Sequence, residues 1–365
     1  MSETPTVADD VADELFRLTR HLVDIASESF GEQAIGAYLE GELRRLDHLE
    51  VTTVGDNGVA RTNLGRGRRV VLAGHTDTVP ANANFPARVE GDTIYGVGSA
   101  DMKGGLAVML TSARRHVVPA VDVTYVFYAR EEVASVHNGL AELFAEAPEL
   151  LAGDVALLGE PTDGMIEAGC QGSVRVEVTL AGKRAHTARA WMGVNAIHRA
   201  APILAALAAY EPRRPVVAGC AFHEAMLAVS VSGGVSGNVV PDAVTITIAH
   251  RFAPDRTPDE AEAHVRAVLA PFLTADDRIE VTDVAAAAAP AVEHPLVASM
   301  IARHDLGVTA KLGWTDVARF AERGVPAANF GPGDPTLAHT AGEHVHRESI
   351  VRTWTALDDL LTDGA

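Results

Sequence analysis

Cysteine is nearly absent from this sequence, which contains only Cys170 and Cys220 among 365 residues. Two cysteines do not provide the disulfide framework that stabilises many small secreted domains. Positive charge is also scarce, because 30 lysine and arginine residues stand against 49 aspartate and glutamate residues, for a formal net charge of -19. This acidic balance argues against nucleic acid and anionic membranes as partners, and it means that an anionic substrate needs cationic side chains placed close to it.

Long apolar runs are missing as well. No stretch approaches the roughly 20 apolar residues of a membrane-spanning helix, and the opening residues MSETPTVADDVADELF lack the basic and apolar regions of a signal peptide. We therefore predict a cytoplasmic protein that has no membrane partner. With 365 residues, of which 47% are hydrophobic, the chain can form about two domains.

Three apolar segments in the N-terminal half end in polar residues and alternate with helical stretches. These segments are RRVVLAGHTDTVP, VDVTYVFYAREE and DVALLGEPTD. Apolar strands that alternate with helices predict a largely parallel sheet covered on both faces. Ligands of such sheets bind beyond the carboxyl ends of the strands. The side chains predicted at those ends are His75, Asp77, Glu131, Glu132 and Glu160.

The pattern changes after Gly172. The segment SVRVEVTLAG alternates apolar and polar residues, as a half-exposed strand does, and further strands and helices of this kind follow it. We therefore predict an α/β protein whose catalytic domain, residues 1–172 and 287–365, has a mostly parallel sheet. A smaller α+β domain, residues 173–286, is predicted to be inserted into it.

Two acidic motifs have both a chemical and a structural interpretation. His75 and Asp77 form an H-x-D pair, in which Asp77 would orient a metal-binding imidazole, or else they form an ordinary strand-end turn. Asp101 lies in GVGSADMKGG, where it would bridge two metal ions or else cap the helix that follows. The surrounding glycines let the backbone turn sharply, which suits a carboxylate placed in a crowded site.

The complete set of candidates favours a metal centre more strongly than any single member. Glu160 alone fits a strand-end acid, and His339 alone fits a surface loop histidine. Together the set supplies two imidazoles and three carboxylates, which are ligands that divalent ions such as Zn²⁺ accept. The predicted metal ligands are His75, Asp101, Glu132, Glu160 and His339. His344 and His346 form an H-x-H pair, for which the sequence favours exposed histidines and leaves a metal-ligand role as the alternative.

The adjacent acids Glu131 and Glu132 need an explanation, because neighbouring carboxylates repel and a buried one is costly. Two Zn²⁺ ions would bring four positive charges, which three carboxylates and one hydroxide offset. Metal binding accounts for Glu132. Glu131 then remains as the base that takes a proton from water and delivers it to a leaving nitrogen. The alternative is a solvated acidic turn.

Five ordered motifs over nearly the whole chain resemble the dinuclear zinc amidohydrolase and carboxypeptidase family. These motifs are GHTDTVP, GVGSADMKGG, REE, GEPT and AHTAGEHV. The resemblance implies a catalytic domain with two Zn²⁺, for which Co²⁺ could substitute, and an inserted lid or dimerisation domain that makes a homodimer. It also implies the roles of single residues: His75 and Glu160 bind one zinc, Glu132 and His339 bind the other, Asp101 bridges them, Glu131 is the base, and Asp77 orients His75.

The predicted insert contains a further stretch with the same resemblance. GKRAHTARAWMGVNAIH is similar to the family segment whose histidine reaches the active site of a neighbouring subunit. The resemblance therefore implies that His186 donates a hydrogen bond to the oxyanion of the tetrahedral intermediate.

Details of the sequence resemble the desuccinylase branch of this family in high-GC Gram-positive bacteria. They are CQGSVRVEV, KRAHTARAWMG, GNVVPD, GWTDVARF and FGPGDPTLAHTAGEHV. This branch implies hydrolysis of N-succinyl-LL-2,6-diaminopimelate, a small-molecule substrate of lysine and cell-wall precursor synthesis. The implied substrate contacts are Arg251 and Asn238, with Thr315, Asp316 and Arg319 in or beside GWTD as further candidates.

One departure from the branch concerns recognition of the succinyl carboxylate. Many desuccinylases carry two arginines where this chain has Cys170 and Gln171, so Arg189 or Arg175 would have to replace them. The alternative functions are the same chemistry on acetylornithine, another N-acyl amino acid or a dipeptide. A more distant alternative is a metal-free binding protein on the same fold.

Overall fold

The computed structural model of the protein describes residues 7–364 and shows a mixed α/β fold. The helices are α1 (Val7–Val23), α2 (Gln33–Leu43), α3 (Gly104–Arg115), α4 (Gly139–Glu146), α5 (Ala196–Ala208), α6 (Pro258–Leu269), α7 (Pro295–His304), α8 (Val317–Ala321) and α9 (Arg347–Asp363). Within the described residues, none of these helices combines the length and the apolar character needed to cross a membrane.

The strands are short in the N- and C-terminal parts of the chain and longer in its middle. They are β1 (Glu50–Val54), β2 (Asn57–Arg61), β3 (Arg69–His75), β4 (Arg88–Glu90), β5 (Thr93–Tyr95), β6 (Asp122–Tyr128), β7 (Val155–Leu158), β8 (Ile166–Ala168), β9 (Gly172–Ala181), β10 (Val216–Val217), β11 (Cys220–Ala221), β12 (Ala225–Gly233), β13 (Ala243–Phe252), β14 (Arg278–Ala285), β15 (Val308–Ala310), β16 (Ala327–Asn329) and β17 (His344–His346).

The chain divides into two compact units. The first contains the described residues up to Ala168, residues 290–309 and those from Arg319 onward, and the second contains residues 169–289 and 310–318. The sequence predicts that residues 310–318 belong to the catalytic domain, but they group with the second unit. Two hydrogen bonds explain why: the Trp314 Nε1–H donates to the Ala286 carbonyl at 3.2 Å, and the backbone carbonyl of Thr315 accepts from Cys170 Sγ at 3.8 Å.

The first unit is built on an eight-stranded sheet in the order β1-β2-β6-β3-β7-β16-β8-β15. The adjacent strands β6, β3, β7 and β16 pair in parallel, and β2 and β8 join this central part antiparallel. All residues of β6 and β7 are buried, which is why they read as continuous apolar runs in the sequence. The predicted α/β class with a large, mostly parallel sheet is confirmed.

Strand register brings the polar residues after these strands to one edge of the sheet. His75 at the end of β3 pairs with Tyr128 at the end of β6, and Ala73 pairs with Leu158 at the end of β7. Helix α3 approaches the same edge closely, since a Cβ atom on Gly105 would lie 2.3 Å from the Gly159 carbonyl oxygen. Only glycine allows this contact, which lies next to Glu160.

The second unit has a four-stranded antiparallel sheet in the order β12-β13-β9-β14. Alternate residues of β9 and β13 are buried, and they pack with α5 and α6 into one apolar core. Helix α6 begins with a capping box in which the Thr257 and Glu260 side chains bond each other's backbone N–H groups. Strand β12 forms one edge of this sheet, and most of its residues are exposed.

Candidate active site

The structure gathers the predicted metal ligands into two groups that share Asp101. One group is His75, Asp101 and Glu160, and the other is Asp101, Glu132 and His339, with ligand atoms in each group within 4.8 Å of one another. His75 Nε2 lies 3.1 Å from Asp101 Oδ1. His339 Nε2 lies 3.5 Å from Asp101 Oδ2 and 2.8 Å from Glu132 Oε1. One imidazole therefore faces each oxygen of the Asp101 carboxylate.

The orientation of His75 is set by Asp77. His75 Nδ1 lies 3.0 Å from the backbone carbonyl oxygen of Asp77 and 3.5 Å from its Oδ1 atom. A carbonyl oxygen only accepts hydrogen bonds, so Nδ1 carries a proton, and in the neutral ring Nε2, which faces Asp101, is the nitrogen without one. This is the tautomer that a metal ligand needs.

The Asp77 carboxylate also holds the segment that carries both glutamates. It accepts the backbone N–H of Glu131 at 2.9 Å and that of Glu132 at 3.0 Å, and the Ser29 hydroxyl donates to it at 2.8 Å. Burial alone would raise the pKa of Asp77, but the hydrogen bonds from His75, Glu131 and Ser29 lower it to about 2. Asp77 is thus ionised, and it fixes the segment after β6 as well as the His75 ring.

The charges of the cluster fit bound cations. Hydrogen bonds with Asp101 and Glu132 raise the pKa of His339 to about 10. Burial lowers the pKa of His75, but its bonds with Asp101 and Asp77 raise it well above the usual value. Protonated imidazoles therefore balance the carboxylates here, and divalent ions would supply the same positive charge. The donor atoms are all nitrogen and oxygen, the ligand set that Zn²⁺ and related ions accept.

Asp101 lies in an irregular turn before α3. Residues 99–103 form a π-helical turn, within which Asp101 has a non-helical φ of -117°, and the Asp101–Met102 peptide bond is cis. The residue at the N-cap of α3 is Lys103, so the alternative in which Asp101 caps this helix is wrong. Gly98 supports the turn with a φ of 76°, a conformation that favours glycine.

Glu343 is a site residue that the sequence reasoning missed. Its buried carboxylate accepts the backbone N–H groups of Gly98, Ala100 and Asp101, each at 3.0 Å. Burial raises its pKa to about 7, against the lowering effect of these hydrogen bonds. The sequence does contain this acid, within AHTAGEHV. Its neighbours in the sequence do not indicate that its carboxylate accepts hydrogen bonds from a turn more than 240 residues away.

The predicted oxyanion donor His186 lies in the second unit, as do most of the predicted substrate contacts, which are Arg189, Asn238, Arg251, Thr315 and Asp316. The further candidate Arg319 belongs to the first unit. His186 Nδ1 accepts the Ala188 N–H at 3.0 Å, so its Nε2 carries the proton and is a hydrogen-bond donor. The Thr187 N–H donates to the Asn238 carbonyl at 3.0 Å, which joins the His186 turn to the segment that carries Asn238.

The arginine candidates differ in their surroundings. Arg251 is half-buried on β13, where it pairs with Ala225 on β12 and Ser173 on β9. Arg189 is exposed. Arg175 is half-exposed and lies 3.8 Å from Asp283, so this guanidinium already has an anionic partner.

The two residues at the position of the expected arginine pair are directed inward. Cys170 is fully buried, and Gln171 is 2% exposed. The Gln171 amide donates to the His223 carbonyl at 2.7 Å. Neither Cys170 nor Gln171 can supply the positive charge of the expected arginine pair.

Comparisons with known proteins agree with this arrangement. The sequence profile of the family described as "Peptidase family M20/M25/M40" matches residues 71–363. A Mycobacterium tuberculosis protein named as a candidate succinyl-diaminopimelate desuccinylase, DapE, is 47% identical over 353 residues, which cover 96% of this chain and 98% of the relative. A Corynebacterium glutamicum succinyl-diaminopimelate desuccinylase is 43% identical over 354 residues, which cover 95% of each chain.

Solved structures share the fold at much lower identity. Aminopeptidase PepT from Bacillus cereus superposes with a TM-score of 0.77 at 21% identity, covering 96% of this chain and 98% of that one. The Bacillus subtilis YXEP protein, described as a dinuclear metal-binding peptidase, gives 0.68 at 15% identity, covering 95% and 97%. The family expected from the five motifs is thus confirmed by sequence and fold: the chain belongs to peptidase family M20/M25/M40.

Proposed function

We propose that this chain hydrolyses N-succinyl-LL-2,6-diaminopimelate to succinate and LL-2,6-diaminopimelate. The observation that carries the proposal is the pair of ligand groups joined at Asp101, in a chain that is 47% and 43% identical to proteins named for this activity. The site supplies a general base and metal ligands for amide hydrolysis, and the relatives suggest which amide.

We propose two Zn²⁺ ions as the cofactor, with Co²⁺ as a substitute. His75 and Glu160 would hold one ion, Glu132 and His339 would hold the other, and Asp101 would contact both. When bound, such ions polarise a substrate carbonyl and lower the pKa of water. The Nδ1 bond of His75 to the Asp77 carbonyl prepares its Nε2 atom for this role.

Glu131 is the proposed general base. Its backbone N–H is held by Asp77 at 2.9 Å, beside Glu132, and a carboxylate oxygen of Glu131 lies within 4.8 Å of ligand atoms of His75 and Glu132. The Glu131 carboxylate takes a proton from the attacking water as the water oxygen bonds to the amide carbon. It then delivers that proton to the amide nitrogen as the C–N bond breaks.

The second unit is proposed to supply the remaining contacts. The Nε2–H of His186 donates to the oxyanion that develops on the amide oxygen. A succinyl group carries a carboxylate that an acetyl group lacks, and Arg251, with Arg189, Asn238 and Thr315, is proposed to bind the substrate carboxylates. Because the chain is acidic overall, the two arginines are needed to attract and bind these substrate carboxylates.

We propose a homodimer formed through the second unit. Strand β12 lies at the edge of its sheet, and the side chains of Leu227, Val229 and Val231 are 50%, 52% and 49% exposed. An edge strand has unpaired backbone N–H and C=O groups, and exposed apolar residues beside it favour pairing with another chain. A second copy of β12 is therefore the proposed partner.

A hydrolysis panel tests the function. The zinc-loaded protein is assayed with N-succinyl-LL-2,6-diaminopimelate, acetylornithine, other N-acyl amino acids and dipeptides. We expect the succinyl substrate to have the highest kcat/KM, by at least about tenfold, because one charge-assisted hydrogen bond contributes that much. A higher value for acetylornithine would reject the substrate but keep the chemistry, whereas no hydrolysis at all would favour a binding protein.

A further inference from the structure

A second pair of nitrogen ligands lies outside the proposed active site, on the three-stranded sheet of β17, β5 and β4. His344 and His346 flank Val345 on β17, and Val345 is buried at 1% exposure. Because side chains alternate along a strand, both histidines project from the opposite, outer face. Their ring centroids are 5.0 Å apart, and His346 is exposed.

Each of these rings is held through its Nδ1 atom. His344 Nδ1 lies 2.8 Å from the Gly342 carbonyl oxygen, so it carries the proton and leaves a lone pair on Nε2. His346 Nδ1 lies 2.9 Å from the Thr93 hydroxyl, which can donate to it or accept from it. Within residues 7–364 the side-chain hydrogen bonds of this pair involve Nδ1 only. For His344, and for His346 when its Nδ1 donates to Thr93, this is the arrangement by which proteins orient metal-binding imidazoles.

The surroundings do not oppose a cation. On the neighbouring strand β5, Tyr95 pairs with His344 and Thr93 pairs with His346. The nearby arginines are already neutralised, since Arg88 is bonded to Glu90 and Arg347 lies 2.8 Å from Asp92. A groove of about 470 Å³ opens beside the pair, lined by Asp92, His346, Arg347, Glu348, Val351 and Arg352. Solvent and ions can therefore reach His346.

We propose that His344 and His346 form an additional, surface site for a transition-metal ion, bound through their Nε2 atoms and completed by water. Imidazole is a ligand for Cu²⁺, Ni²⁺ and Zn²⁺, and Cu²⁺ binds most tightly in this series. The site is independent of the group around Asp101. Metal analysis of the purified protein would therefore exceed the two equivalents of the proposed catalytic centre when metal is in excess.

Copper titration of the zinc-loaded, tag-free enzyme tests the site. We expect the wild type to bind one further equivalent of Cu²⁺, with an electron paramagnetic resonance spectrum that shows two nitrogen ligands. His344→Gln and His346→Gln should each weaken this binding by more than about tenfold, since even loss of a group that only orients a ligand costs that much. His21→Gln, which removes an exposed histidine on α1, serves as the matched control and should change nothing.

The activity of the same variants separates this site from the proposed active site. Both variants should keep their two zinc equivalents and the wild-type kcat/KM on whichever substrate the panel identifies. Unchanged Cu²⁺ binding in both variants, or no additional binding by the wild type, would show that the pair is not a metal site. Loss of catalytic zinc in His346→Gln would contradict its independence. Failure of the desuccinylase assignment would leave the Cu²⁺ result unaffected.

Discussion

At the residue scale, Asp77 links the two functions proposed for the neighbouring glutamates. Its carboxylate holds the backbone N–H groups of Glu131 and Glu132 at 2.9 and 3.0 Å. Its carbonyl fixes the His75 ring at 3.0 Å. The acids are thus placed by backbone hydrogen bonds, which position the segment independently of what the two carboxylates bind.

The different tasks of Glu131 and Glu132 lead to opposite mutant phenotypes. Glu131→Gln should retain metal and substrate but lower kcat by a factor of about 10²–10⁴, as expected for a lost general base. Glu132→Gln should instead release metal first, because Glu132 Oε1 lies 2.8 Å from His339 in the second ligand group. Metal analysis beside steady-state kinetics distinguishes them. Loss of metal from Glu131→Gln would make Glu131 a ligand.

Arg251 is the residue whose loss should affect substrate choice. Arg251→Ala should lower kcat/KM for the succinyl substrate by roughly ten- to a hundredfold, the effect of losing one charge-assisted hydrogen bond of about 1.5–3 kcal/mol. Metal content should not change. Arg278→Ala, on the exposed edge strand β14, is the control for removal of a positive charge. Equal effects of the two substitutions would exclude a specific contact by Arg251.

The candidate ligands could be predicted because the fold concentrates them. Parallel strands place their carboxyl ends at one edge, so His75, Glu132 and Glu160 were expected near each other from strand pattern alone. Glu343 could not be predicted in this way, since it acts through backbone N–H groups of the turn at Gly98–Asp101. Hydrogen bonds between distant segments leave no periodic pattern in a sequence.

At the scale of elements, the turn that presents Asp101 depends on Glu343. Glu343→Gln replaces one acceptor oxygen by an NH₂ group, which cannot accept the N–H groups that the carboxylate now binds. We expect metal affinity to fall by about 10–100-fold, the usual effect of removing a group that orients a ligand. Glu146→Gln, an exposed change on α4, is the control. Unchanged metal affinity would show that the turn holds without this carboxylate.

Strand β13 should make the second unit sensitive to acid. Burial lowers the pKa of His250, whose side chain is inaccessible and whose Nδ1 lies 2.9 Å from the Ala225 carbonyl. The folded state therefore prefers the neutral ring, and its contribution to stability is present above the unfolded pKa of about 6.5 and is lost as pH falls below it.

His250→Phe tests this pH dependence. The wild type should lose stability between pH 7 and 5 with a slope of at most about 1.4 kcal/mol per pH unit from this single proton. The variant should show a smaller slope in urea denaturation at the same pH values. His198→Gln removes an exposed histidine of α5 as the control. Parallel pH profiles of the wild type and His250→Phe would exclude His250 as the source.

The boundaries of the second unit could be predicted only in part from the sequence pattern. Alternation of apolar and polar residues marked β9 and β13, whose core positions are buried at every second residue. It did not show that residues 310–318 group with this unit, because that assignment depends on contacts such as Trp314 with Ala286. Short irregular segments are placed by such single contacts, which a sequence pattern does not contain.

At the scale of the whole molecule, the residues proposed for catalysis are divided between the two units. The metal-binding candidates and Glu131 lie in the first unit, whereas His186 lies in the second. His186 is exposed and carries its proton on Nε2, so it can donate to a group outside its own unit. We predict that it does so for the other subunit of a homodimer.

Mixed dimers test whether His186 acts in trans. His186→Ala and Glu131→Gln homodimers should both be nearly inactive, because each lacks one group at both sites. A heterodimer of the two chains should regain one working site, in which Glu131 comes from the His186→Ala chain and His186 comes from the Glu131→Gln chain. Differently tagged chains allow the heterodimer to be purified before its kcat is measured.

The matched control reverses the expected result. A heterodimer of the wild type with a chain that carries both His186→Ala and Glu131→Gln should be inactive if His186 acts in trans. The only intact Glu131 would then face the doubly substituted chain, which lacks the His186 imidazole. If His186 acts within its own chain, this control keeps one working site, and the heterodimer of single variants has none. Both heterodimers contain one intact and one substituted copy of His186 and of Glu131, and they differ only in how these copies are distributed between the chains. Activity of the control together with inactivity of the single-variant heterodimer would therefore reject action across the dimer.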